Sequence, residues 1–169
     1  MKEDALLLTG FIATLKFKMA KKRNKTKRKK RNKPGSPAFP RPRMCGDCTE
    51  CCVTLHISAL NKPKHTRCNN LCADKPGCEI YSQRPTECMT FQCMWTQNDL
   101  PENAKPNKTG VMAYYVESQF GPTVFVTETR HGGLKNSPHV KDAALSVAAK
   151  KGFAAIISTY EGLATAMVP

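Results

Sequence analysis

The chain has 169 residues, 40% of them apolar and only 7% aromatic, enough for one domain around a modest hydrophobic core. Its formal charge of +14 is unevenly spread: 14 basic and no acidic residues lie between Lys16 and Arg43, and the other 13 basic residues are matched by 13 acidic ones. The charge therefore belongs to an arm, and any contact with nucleic acid has to be sought there, not on the near-neutral remainder.

Residues 1–20 place Leu7, Phe11, Leu15 and Met19 at fourfold spacing, the pattern of a short amphipathic helix. Their apolar run is broken by Lys16 and Lys18 and falls short of the roughly 20 residues that a membrane span needs, so no transmembrane segment is expected. A secretory signal is not expected either, because Lys2 is followed by Glu3 and Asp4 and the basic run comes after the apolar one. Met19-Ala20-Lys21-Lys22 would itself serve as a start, which makes Met19 an alternative first residue to Met1. Without export the chain is expected in the cytoplasm or another reducing compartment, where structural disulfides are rare.

Residues 21–43 read KKRNKTKRKKRNKPGSPAFPRPR, with no apolar residue before Ala38. Such a segment cannot bury enough surface to offset its ordering entropy and is expected to be a disordered arm, stiffened by Pro34, Pro37, Pro40 and Pro42. Lys21, Lys22, Arg23, Lys25, Lys27, Arg28, Lys29, Lys30, Arg31 and Lys33 are its candidate nucleic-acid contacts. They would neutralise phosphates of any polyanion with little sequence preference. A solubilising tail and attachment to an anionic membrane surface are the other readings of the same charge. The chain thus divides into a leader and arm, residues 1–43, and a folded domain, residues 44–169.

Residues 44–98 carry all nine cysteines and few aliphatic side chains, which predicts loops and short turns around a site. Residues 53–57 alternate as a strand would, with His56 on one face beside Thr54. Beyond Pro101 the composition changes. Residues 111–116 and 123–129 read as strands separated by a Gly121-Pro122 turn. A helix follows, with Ser137 as N-cap, Pro138 at its first position and Gly152 as its stop. Val140, Ala143, Ala144, Val147 and Ala148 form its buried stripe, and residues 153–158 read as a further strand. The predicted fold is small α+β: an irregular cysteine-rich metal-site region packed on a β-β-α-β scaffold. His131, in the Arg130-His131-Gly132-Gly133 loop, reads as a turn residue.

The first cysteines form C-G-D-C-T-E-C-C, that is Cys45, Cys48, Cys51 and Cys52. Two residues between sulfurs allow both to turn toward one centre, a spacing used by structural zinc and by iron–sulfur clusters. Adjacent Cys51 and Cys52 cannot easily share one ion, so one of them is expected to face a second centre, pack, or act in redox chemistry. Cys68, Cys72, Cys78, Cys88 and Cys93 follow, and a fold returning Cys68, Cys78 or Cys88 to the first group would complete four ligands. One centre and two both remain open at this point. Buried reduced thiols or disulfides would account for one or two such residues, not for this density.

The run Cys45-x2-Cys48-x2-Cys51-Cys52, then Cys68, then Cys78-Glu79-Ile80-Tyr81-x2-Arg84-Pro85-x2-Cys88-x2-Phe91, resembles the YkgJ-type cysteine-cluster family, a zinc- or iron-chelating domain with a CxxCxxCC signature. The resemblance continues through Cys93 and Trp95 and more weakly to about residue 160. It implies Cys45, Cys48, Cys51, Cys52, Cys68, Cys78 and Cys88 as metal residues, with Cys93 a further candidate and Cys72 falling between family positions. It names no settled activity.

From the residues themselves, Pro85 should hold Arg84 extended and present Cys88 on a short helix. Arg84 could bond backbone carbonyls or offset thiolate charge, and Tyr81, Phe91 and Trp95 would shield the sulfurs. No Walker loop, dinucleotide-binding glycine pattern or HExxH helix is present, so no reaction is assigned. The expected function is a module holding zinc or an iron–sulfur cluster, localised by its basic arm. An iron–sulfur redox or oxidoreductase accessory protein and a purely structural zinc protein are the alternatives.

Overall fold

The computed structural model describes residues 42–162 and 164–167. The predicted helix over residues 1–20 and the basic residues 21–33 lie outside the described residues. The described chain is a small α+β fold, with a four-stranded mixed sheet in the order β1-β2-β3-β4. These strands are β1 (Val111–Ser118), β2 (Gly121–Glu128), β3 (Ala154–Ser158) and β4 (Ala164–Met167). Short helices α1 (Glu50–Thr54), α2 (Thr86–Thr90) and α3 (Pro106–Thr109) precede the sheet, and α4 (Gly133–Asn136) and α5 (Pro138–Lys151) join β2 to β3.

Val, Tyr, Phe and Thr fill β1 and β2, side chains that suit a pleated, half-buried surface. The two strands pair antiparallel with Ser118 opposite Gly121, so the hairpin turns on Gln119 and Phe120. Gly121 and Pro122, predicted as the turn, are instead the first paired residues of β2, a strand-start position that proline tolerates. β2 and β3 run parallel, which requires the crossover that α4 and α5 supply. Helix α5 begins and ends where its sequence predicts. Pro138 is its first residue, Ser137 occupies the N-cap position without a side-chain bond, and the Gly152 amide, at φ 66°, reaches the Ala148 and Ala149 carbonyls.

Register places Val111, Ala113, Val124, Val126 and Ala155 on one face of the sheet, and Val140, Ala144 and Ala148 of α5 join them in one core. The other face carries Tyr114 and Phe125, whose rings lie 5.4 Å apart. Phe91 of the cysteine-rich region meets Tyr114 edge-on, also at 5.4 Å, and the Lys64 ammonium lies 5.5 Å from the Phe125 ring centre. Phe91 and Lys64 of the cysteine-rich region thus reach this second face, while Cys51, Cys93, Met94 and Trp95 join the core shared with α5. β4 was not predicted: Ala-Thr-Ala-Met lacks the bulky alternation of the other strands, and all four residues are exposed. The predicted strand over residues 53–57 is absent, because residues 50–54 form α1 and only Ile57 makes an isolated bridge, to Lys62.

Gly110 and Gly133 bring the start of β1 and the β2–α4 loop into backbone contact. A Cβ on Gly133 would stand 2.1 Å from the Gly110 carbonyl oxygen, and neither partner is a side chain that could swing away. Gly133→Ala is therefore expected to destabilise the fold by about 3 kcal/mol, the upper part of the usual overpacking range. Urea unfolding checks this through a lower midpoint at unchanged slope.

Candidate metal centre

The first cysteine loop is pinned at both ends. Arg43 donates its amide to the Thr96 carbonyl at 2.8 Å, and its guanidinium donates to the Trp95 and Leu100 carbonyls at 3.1 and 2.8 Å. Within the loop the Cys48 amide closes a turn on the Cys45 carbonyl at 3.1 Å. Asp47, between them, accepts from the Lys105 ammonium and, at 3.0 Å, from Asn107 Nδ2. Lys105 and Arg43 also lie over the Trp95 ring, 5.3 and 5.2 Å from its centre. The loop carrying Cys45 and Cys48 is thereby tied to the segment that follows Cys93.

Cys51 and Cys52 sit side by side on α1, where consecutive side chains diverge by about 100°. Cys51 packs against the main core, of which Cys93 is a buried member. The Cys52 thiol nonetheless meets that of Cys51, and the Cys52 carbonyl accepts the Cys68 amide at 3.0 Å. Cys68 is buried but stands outside the main core. From there the Leu71 amide reaches the Cys68 carbonyl at 3.1 Å, Leu71 bridges Cys78, and Glu79 N–H reaches Asn70 at 2.8 Å. Arg84 is extended before Pro85, and α2 presents Cys88 as predicted.

Lys62, which sequence reasoning missed, is buried beside these sulfurs, and its ammonium donates to the carbonyls of Val53, Leu55 and Pro63. Burial pushes its pKa down, while the charges of Cys68, Cys52, Cys51 and Cys88 oppose that shift. The available signal was Asn61-Lys62-Pro63, a turn with Asn61 at φ 48°, but nothing local marks its ammonium as turned inward. Arg84 donates from Nε to the Tyr81 carbonyl at 3.0 Å and stacks on the Tyr81 ring at 3.8 Å. Tyr81 itself is 62% exposed, so its predicted shielding role is not realised. Phe91 and Trp95 do pack inward, Trp95 with its indole N–H on the Glu102 carbonyl at 2.9 Å.

The thiols perturb one another strongly. Cys51 is raised well above the usual range by the hydrogen bond it donates to Cys52, then by burial and neighbouring thiolates. Accepting that bond pulls Cys52 down to about 7 against the effect of burial, helped by Lys62 and Arg84. Cys45 is raised by desolvation and then by the Cys93 charge, with Lys105 opposing. Desolvation raises Cys48 and Cys88 too, Cys88 further through Cys52, Cys68 and Cys78.

All nine cysteines are unpaired thiols, so the donor set suits zinc or an iron–sulfur cluster in kind. The shell is not closed: among the described residues no three His, Cys, Asp or Glu side chains converge as a metal site would require. Cys72 stands apart, its amide on the Gly77 carbonyl and its own carbonyl held by Arg67 at 2.8 Å. His56 is exposed near Ser58. His131 bonds Glu161 through Nδ1 at 2.8 Å, and with His65 it flanks the Tyr160 ring.

In reduced, metal-free protein Cys52 is expected to be alkylated ahead of Cys45, Cys48, Cys51 and Cys88. Its rate should fall as pH drops through about 7, where the thiolate takes up its proton. Cys51→Ala removes the donated hydrogen bond and should move that midpoint upward, read by mass spectrometry of iodoacetamide adducts across pH. Compared with known proteins, the chain matches no family model, and no curated protein or solved structure is similar to it.

Proposed function

We propose that residues 44–98 are a metal-binding module that holds zinc or an iron–sulfur cluster through its cysteines, with the basic arm supplying contact to nucleic acid or another polyanion. The observation that carries this reading is the presence of nine unpaired thiols between Cys45 and Cys93, with Cys51 and Cys52 in hydrogen-bond contact and Lys62, Arg84 and Lys105 near enough to act on Cys52 or Cys45. Thiolates brought together repel, and a bound cation relieves that repulsion. The resemblance of the cysteine pattern to the YkgJ-type family supports the same reading. No helix among the described residues is long and apolar enough to cross a membrane.

Protein purified without oxygen and analysed for metals and acid-labile sulfide tests the reading directly. Brown protein with sulfide identifies a cluster, colourless protein with stoichiometric zinc identifies a zinc site, and metal-free protein that takes up neither defeats the proposal. The arm carries a separate expectation, since residues 21–33 hold ten basic side chains. Deleting them should abolish salt-sensitive binding to duplex DNA and leave the metal content unchanged, because phosphate neutralisation releases counterions and makes affinity fall steeply with salt. Filter binding at two salt concentrations, alongside metal analysis of both proteins, reads the two effects apart.

A further inference from the structure

Resting on the metal-binding reading, we infer that Lys62 is a positioning residue of the cysteine site: its ammonium closes the end of the helix that carries Cys51 and Cys52 and stands as the resident counter-cation to their thiolates. Helix α1 has five residues, too few to hold itself in water. Its last carbonyls need partners from elsewhere in the chain, and each has one. The Cys51 carbonyl takes the Leu55 amide at 3.2 Å, Cys52 takes the Cys68 amide at 3.0 Å, and Thr54 takes the His65 amide at 3.2 Å. The remaining two, Val53 and Leu55, both accept from the Lys62 ammonium, Val53 at 3.0 Å. The lysine reaches them because the chain doubles back on itself. Ile57 and Lys62 exchange both main-chain hydrogen bonds, at 3.0 and 3.1 Å, around a tight turn in which Asn61 is left-handed at φ 48°.

The same side chain is also a buried charge. Lys62 is 5% exposed, and its three side-chain bonds all end on neutral carbonyls, the third being that of Pro63 at 3.0 Å. None of the ion pairs among the described residues includes it. Burying a cation without an anion is costly, so such groups are found paired. The anionic groups near enough to act on this one are the thiolates of Cys68, Cys52, Cys51 and Cys88. Several thiolates around a divalent ion keep negative charge in excess, and a fixed cation beside them offsets it. Lys64, two residues on, is exposed and lies over the Phe125 ring instead.

The test uses the full chain, purified without oxygen and loaded with zinc(II) or cobalt(II), in the parent and three variants. Lys62→Met is expected to weaken zinc binding by about tenfold or more in competition with a chelator, the usual cost of removing a group that supports metal ligands. Its cobalt(II) form should absorb at longer wavelength in the thiolate-to-metal band, because losing a neighbouring cation raises the energy of the sulfur electrons. A purely structural lysine would leave that band in place. Lys64→Met should match the parent in both measurements. In metal-free Lys62→Met, amide hydrogen exchange should quicken over residues 52–55 and not in β2, which reads the hold on α1 without any metal. Lys62→Gln keeps a donor for the carbonyls and discards the charge, so it should fold even where Lys62→Met does not, and still show the band shift. Where the chain assembles only an iron–sulfur cluster, the midpoint potential replaces the band and should fall in both Lys62 variants. Parent-like affinity or an unshifted band in a folded Lys62 variant, or an equal loss in Lys64→Met, would overturn the inference while leaving metal binding intact. A parent chain that takes up neither zinc nor a cluster would overturn the metal-binding reading itself.

Discussion

The segment from Cys93 to Thr96 is docked along β1, with the Met94 amide on the Ala113 carbonyl at 2.8 Å and Cys93 bridged to Tyr114. The cysteine-rich half of the domain depends on this docking. That half has few aliphatic side chains of its own and cannot stabilise itself by burial. Met94 and Trp95 lend it a place in the scaffold's core. Arg43 and Lys105 then close on Trp95 and carry the first cysteine loop with them. The sheet contributes no cysteine, yet it positions the loop that bears Cys45 and Cys48.

How far the chain could be read from its sequence follows from how local each determinant is. Helix α5 is legible because Pro138 and Gly152 act within a residue or two of themselves, and β1 and β2 are legible because their side chains repeat with the pleat. The segment 53–57 misled for the opposite reason. Its alternation is genuine, but Lys62 grips the Val53 and Leu55 carbonyls from farther along the chain, and the Cys52 amide has already turned onto Thr49. A through-space contact overrode the local period. Tyr81 misled similarly: its ring serves Arg84 at the surface and does not cover sulfur.

The cysteines themselves were legible as a group and not as a geometry. Spacing shows that Cys45, Cys48 and Cys51 can reach one point, but it cannot show that Cys68 hangs from the Cys52 carbonyl or that Cys93 lies buried with the core Cys51 touches. The cations are still less visible. Lys62 is one of 27 basic residues, and only its burial among carbonyls distinguishes it.

At the far end of the parallel strand pair, the Glu128 carboxylate is buried and accepts two main-chain amides, Leu134 through Oε1 and Tyr160 through Oε2, each at 2.9 Å. One side chain thus holds the loop after β2 and the turn after β3 simultaneously. Lifting either away would strand a charge in a poorly solvated place, so neither segment can open cheaply on its own. The two are yoked into one cooperative unit, in which His131 and Tyr160 keep their stacking together or lose it together.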